Sequence, residues 1–137
     1  MIGIFEFPYT VLGADIDELN HAANYHYLRW MQGAAVAHSS ANGWSPQKYL
    51  AQGSGWVARS HNIVYLKPAY EGNALIIKTW VSAMKSATSQ RHYEIMNADG
   101  EMLAKAETNW AFIKLSTQKP TRIPIEVAKC FKIKNAA

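Results

Sequence analysis

The stretch DIDELNHAANYHYLRWM, Asp15 to Met31, decides how the rest of the chain must fold. It opens with acids and passes into a nearly apolar run. Asp17, Asn20, His21 and Asn24 stand just before that run. From Asn24 to His38 the polar positions His26, Arg29, Gln32 and Gly33 share one narrow arc at ~100° per residue. Tyr25, Tyr27, Leu28, Trp30, Met31 and an Ala-Ala-Val-Ala run cover the remainder. A surface helix carries a broader polar face, so the spacing predicts a helix that is largely enclosed. Gly43 suits its C-terminal stop.

The flanking segments supply what encloses it. Upstream, IGIFEFPYTVLGAD has the aromatic and β-branched content of a first strand. Downstream, SPQKYLAQG reads as a short helix with Ser45 as N-cap, Pro46 at its first position and Gly53 as stop. A strand series follows in GWVARSHNIVYLKPA, NALIIKTWVSAMKSA, TSQRHYEIM and MLAKAETNWAFIKLS. The Asp-Gly pair of NADGE marks a tight hairpin turn between the last two. In the last strand Leu103, Lys105, Glu107 and Asn109 face one way, and Ala104, Ala106, Thr108, Trp110 and Phe112 the other. TQKPTRIP reads as a loop and IEVAKCFK as a terminal helix. One helix and several long strands share a core only if the sheet wraps the helix. The expected fold is therefore α+β, a single domain over residues 1–137. It is a hot-dog fold, an antiparallel β-sheet wrapped around a long central α-helix. Its long edge strands favour pairing with a second copy.

Composition narrows the function classes. The chain has 137 residues, 49% hydrophobic and 18% charged, which suits a packed globular domain rather than disorder. The formal net charge is +4 with no long Lys/Arg run, a weak case for nucleic acid. The one cysteine, Cys130, allows no internal disulfide and reads as a small half-buried apolar residue in a reducing compartment. The N-terminus has no secretory pattern, and no apolar run reaches the ~18 residues of a membrane span. The expectation is a cytoplasmic protein without a membrane partner.

The polar residues before the helix admit two readings. Asp17 can stabilise the helix dipole, Asn20 and His21 can make turn hydrogen bonds, and Asn24 can be the N-cap. Alternatively the loop is an active site. A helix N-terminus offers bare N–H groups and a partial positive charge, which can hold a developing oxyanion. A nearby carboxylate can then attack a carbonyl or activate water, with a histidine to orient it. Asp17, His21 and His26 lack a metal-ligand spacing, so no metal is expected. His38 reads as a core histidine. Trp56, Trp80 and Trp110 read as core or interface.

The same stretch resembles the N-terminal signature of the hot-dog thioesterases, in the branch of the 4-hydroxybenzoyl-CoA and acyl-ACP thioesterases. Asp17, His21, Asn24, Tyr27, Leu28 and Trp30 match its Asp, Gly-His-x-Asn-Asn and Tyr-Leu-x-Trp pattern. VARSHNIVYLKPAYEGNALIIKTWV and AKAETNWAFIKLSTQKPTRIP are similar to the family's strand series, so the likeness spans nearly the whole chain. Asn20 replaces the usual Gly, a change that Asn's tolerance of left-handed backbone softens. Ala23 replaces the first Asn of the pair, and Asn62 stands where relatives often carry an acid. The resemblance implies an acyl-CoA or acyl-ACP thioesterase. Asp17 would be nucleophile or general base, His21 its polar partner, and the backbone N–H of Asn24 or Tyr25 the oxyanion donor. It implies no cofactor beyond the coenzyme A moiety of the substrate, and a homodimer or homotetramer. Arg59, Lys67 and Arg91 are candidate contacts to coenzyme A phosphates, although a solvated basic surface explains each equally well. Two rivals remain open. One is a non-catalytic acyl-thioester binding protein. The other is a basic nucleic-acid module, for which Arg91 and Tyr93 on one strand face are the hint.

Overall fold

The computed structural model describes residues 3–134; the expected start of the first strand at Ile2 lies outside them. The strands are β1 (Phe5–Thr10), β2 (Ser54–Tyr65), β3 (Ala74–Met84), β4 (Thr88–Asn97), β5 (Met102–Lys114) and the two-residue β6 (Lys119–Pro120). The helices are α1 (Asn24–Ala41), α2 (Pro46–Ala51) and α3 (Ile125–Ala128). The main sheet runs β1-β3-β4-β5-β2, and β6 pairs with β5. Every pairing is antiparallel. The curled sheet with one long helix is the hot-dog fold.

The elements stop where local chemistry stops them. Ser45 caps α2 by accepting from the Lys48 amide at 3.2 Å. Gly53 (φ 74°) ends α2, and Gly100 (φ 80°) turns the chain between β4 and β5, both in the left-handed region open to glycine. The Asn97 side chain accepts from the Asp99 and Glu101 amides across that turn. α3 spans only Ile125–Ala128, shorter than the expected terminal helix.

α1 packs chiefly against β1 and β3. Its Tyr27, Trp30, Met31 and Ala34 meet Leu75 and Ile77 of β3, and Tyr93 and Ile95 of β4, in the main core. Ala34 and Ala104 are fully buried, and their small side chains let helix and sheet approach closely. A second cluster joins Trp44, Tyr49, Val81, Phe112, Val127 and Phe131 at the other end of the helix.

Three expectations are corrected. The helix is not enclosed on most sides: Tyr25, Arg29, Gln32, Val36 and Ser40 form an exposed stripe. Within one chain the sheet covers one flank of α1 and leaves the other open. His26, expected on the polar arc, is instead buried at 8% exposure. Leu103 does not face outward with Lys105. The register passes from Ile95↔Ala104 to Met96↔Met102, leaving Leu103 as the extra residue of a bulge, and it enters the core at 2% exposure.

Because Ala34 is fully buried in the main core, Ala34→Leu is expected to cost about 1–3 kcal/mol by overpacking. Urea unfolding checks this; unchanged stability would contradict the packing described.

Candidate active site

A single antiparallel bridge, Ile16↔Ala22, closes the loop ahead of α1. Inside it the Asp17 amide donates to the His21 carbonyl at 3.0 Å, and the Asn20 amide to the Asp17 carbonyl at 3.0 Å. The tight turn needs a left-handed residue, and Asn20 supplies it with φ 67°. The Asp17 carboxylate is half-buried and accepts from the Leu19 amide at 2.9 Å. His21, also half-buried, has Nδ1 3.4 Å from the Ala22 carbonyl.

The helix begins without a side-chain cap. Its N-cap is Ala23, and Asn24 is already helical, so the reading of Asn24 as a cap is overturned. Asn24 and Tyr25 are exposed, and the Asn24 carbonyl accepts from the Tyr65 hydroxyl at 3.2 Å. The first amides of a helix have no intrahelical acceptor. Those of Asn24 and Tyr25 are left at the bare positive end of an 18-residue helix. The loop thus brings Asp17, His21, Asn24 and Tyr25 to one junction.

Sequence reasoning missed Asp15. This acid is 1% exposed and points inward. Its Oδ2 accepts from the Tyr9 hydroxyl at 2.6 Å and the Leu12 amide at 2.9 Å. Its Oδ1 lies 3.4 Å from His26 Nδ1, and its backbone carbonyl accepts from Ala23 at 2.9 Å. Burial, then the bond to Asp15, raises the Tyr9 pKa, so that hydroxyl keeps its proton. The available signal was the Asp-Ile-Asp spacing, which gives the loop two carboxylates where a single site needs one.

The three candidate phosphate contacts are not brought together. Arg59 is exposed, the extra residue in the β2–β5 bulge between Ala58 and Ser60. Lys67 is exposed and paired with Glu101, whose carboxyl it holds below the usual range. Arg91 is not on a basic surface at all: it is 6% exposed on the inner face of β4, beside buried Tyr93. The face that hinted at nucleic acid is therefore interior. His38 is buried, with Nδ1 2.9 Å from Arg91 Nη1. Since a guanidinium only donates, this nitrogen accepts and the imidazole is neutral.

A cavity of about 700 Å³ runs beside α1 from Arg29 toward Arg91 and Phe131, walled by α2, β2 and β5. Asp17 and His21 do not line it; Arg29, one helical turn beyond Tyr25, stands at their side of it. Trp56 packs against the second core cluster, as expected, and with Trp110 also lines the cavity. Trp80 stacks on His92 instead, ring centroids 5.7 Å apart. Asn62 pairs in register with Glu107, so an acid stands one strand away from the position where relatives carry one. Among the described residues no cluster of three or more His, Cys, Asp or Glu could hold a metal, and no helix is long and apolar enough to cross a membrane.

A sheet curled around one helix, with a carboxylate loop feeding its bare N-terminus, defines a thioester hydrolase of the hot-dog class. The family model described as the thioesterase-like superfamily matches residues 11–131, and the chain belongs to that superfamily. It is similar to the acyl-CoA thioester hydrolase YbgC of Escherichia coli, 23% identical over 94% of this chain and 96% of that one. A DHNA-CoA thioesterase from Staphylococcus aureus superimposes with TM-score 0.84 and 26% identity, over 88% of this chain and 81% of that one. A 1,4-dihydroxy-2-naphthoyl-CoA thioesterase from Synechocystis does so with TM-score 0.87 and 22% identity, over 93% and 95%.

The two acids are expected to separate in stability. Asp15→Ala removes a buried carboxylate that accepts from two part-buried donors and is expected to cost roughly 1–3 kcal/mol. Asp17→Ala is expected to stay within about 1 kcal/mol. Denaturant unfolding of both variants checks this, and equal losses would contradict the division of labour. Asn20→Gly is expected to match wild type, and Asn20→Val to lose about 1–3 kcal/mol to left-handed strain.

Proposed function

We propose that the chain hydrolyses acyl-CoA thioesters, or acyl-ACP thioesters, to a free carboxylic acid and a thiol at the junction of the Asp17 loop and α1. One observation carries the reading. A half-buried carboxylate held by its own turn lies in the short bridged loop that leads directly into the uncapped start of α1 at Asn24 and Tyr25. In this reading Asp17 attacks the thioester carbonyl carbon or takes a proton from the attacking water. The oxygen gains charge as the carbonyl opens, and the Tyr25 N–H stabilises it. The C–S bond then breaks, the thiolate leaves and is protonated, and water supplies the hydroxyl of the acid. His21 orients the carboxylate or the substrate. This chemistry uses the protein's own groups, so no cofactor is required beyond the coenzyme A moiety of the substrate. The coenzyme A names carried by the relatives favour that carrier over a carrier protein.

A homodimer or homotetramer is part of the proposal. Tyr25 and Val36 on α1, and Val57, Val64 and Tyr65 on the edge strand β2, are exposed in one chain. A second copy would cover them and supply the missing flank of the helix. The unpaired thiol of Cys130 suits a reducing cytoplasm.

Wild type and Asp17→Ala should be assayed side by side on an acyl-CoA panel. Replacement is expected to lower kcat roughly 10²–10⁴-fold, the range of a positioned acid–base group, with folding unchanged. If both proteins are equally slow on every thioester, the chain is a non-catalytic acyl-thioester binder. Analytical ultracentrifugation is expected to give a dimer or larger species, which Val64→Asp weakens.

A further inference from the structure

Arg91 is a buried cation with no anion. Its Nη1 donates to His38 Nδ1 at 2.9 Å and to Thr79 Oγ1 at 3.0 Å. The ring of Phe131 lies 5.9 Å from its Cζ. All three partners are neutral. Among the described residues no carboxylate pairs with it. The titratable groups that act on it are the phenols of Tyr93 and Tyr49, both raised in pKa by burial and so uncharged. A guanidinium does not give up its proton inside a protein, so the full charge stays in the interior. Interiors hold such a charge only with a counter-charge or with dipoles that replace water.

The cavity is where a counter-charge can enter. Arg91 lines it, and its Nε and Nη2, which donate to no described residue, are not sealed from solvent. The walls between Arg29 and Arg91 are Trp44, Tyr49, Trp56 and Trp110. A cleft with mainly apolar walls and a buried cation, Arg91, set into it suits a ligand that is apolar along its length and anionic at its tip. The bare amide of Tyr25 and the Arg91 contact at His38 lie on the same helix, about 20 Å apart along its axis at ~1.5 Å per residue.

We propose that the cavity is an acyl-tail subsite that selects acyl thioesters whose far end carries a carboxylate, and that Arg91 binds that carboxylate. The inference rests on the thioesterase reading for the identity of the other end of the ligand. The thioester carbonyl sits at the helix N-terminus, the tail passes Arg29 and runs between the tryptophans, and the terminal carboxylate meets Nε and Nη2. Short acyl groups do not reach it; long ones do.

The test compares coenzyme A monothioesters of α,ω-dicarboxylic acids of graded length with length-matched monocarboxylic ones. In wild type, kcat/KM is expected to favour the charged tail at least about ten-fold once the chain is long enough, as a charge-assisted bond allows. Arg91→Met is expected to lose that preference while still hydrolysing neutral acyl-CoA, and Arg91→Lys to keep part of it. Free dicarboxylic acids titrated against the cavity tryptophan fluorescence give a readout that needs no hydrolysis. Hydrolysis with no charge preference, or a preference unchanged in Arg91→Met, overturns the subsite and leaves the hydrolase standing. Arg91-dependent binding of the free diacid without any thioester hydrolysis supports the subsite and removes the hydrolase. If Arg91→Met does not fold, the wild-type ratio and Arg91→Lys decide, and a wild type that prefers the neutral tail overturns the proposal.

Discussion

The inward-turned carboxylate of Asp15 is the constraint on which the site depends. It joins three parts of the chain: β1 through the Tyr9 hydroxyl, the turn after β1 through the Leu12 amide, and α1 through His26. The same residue's carbonyl takes the amide of Ala23, the helix N-cap. A carboxylate buried this deeply needs donors, and Oδ2 takes two of them, while Oδ1 lies 3.4 Å from His26 Nδ1, itself 3.2 Å from Arg29 Nη1. The result is a helix start fixed in place from behind rather than capped from in front. A Ser or Asp at the N-cap would have filled the first amides with its own side chain. Ala23 cannot, and the amides of Asn24 and Tyr25 remain available.

The second constraint is the asymmetry of the wrap. α1 rests chiefly on β1 and β3; β2 meets its first turn through Tyr65, against Asn24 and Tyr27, and further along a gap opens between the helix, α2 and the β2–β5 side of the sheet. That gap holds the cavity, its tryptophan walls and Arg91. It also leaves Tyr25 and Val36 exposed, Val36 at the cavity's edge. One geometric fact thus gives both an interior space for a ligand and an apolar flank for a second copy.

Much of this was legible in the sequence because short-range chemistry dictates it. The Ser45 cap and the Asp-Gly turn follow from local signals, and the structure has both where expected. Asn20 is the sharpest case: it replaces the family's Gly, and its φ of 67° is the conformation Asn tolerates. What was not legible depends on which face the sheet covers. A periodicity shows that Arg29 and His26 are polar, but not that His26 turns in toward Asp15 while Arg29 turns out. Strand alternation could not foresee the bulge that sends Leu103 into the core. Arg91 and Tyr93 alternated as a surface pair would, and only the tertiary fold assigns them to the inner face. Asp15 and Asp17 are chemically identical in the sequence; their burial distinguishes the acid that holds the loop from the acid proposed to react.

The most direct measurement of that distinction is a crystal structure of Asp17→Asn with a non-cleavable acyl-CoA analogue. The carbonyl oxygen is predicted about 3 Å from the Tyr25 amide nitrogen, the reach of an oxyanion donor. The side chain at position 17 should face the carbonyl carbon, and Asp15 should be unmoved against Tyr9. A carbonyl held away from the helix N-terminus, or one approached by Asp15 rather than residue 17, would contradict the assignment.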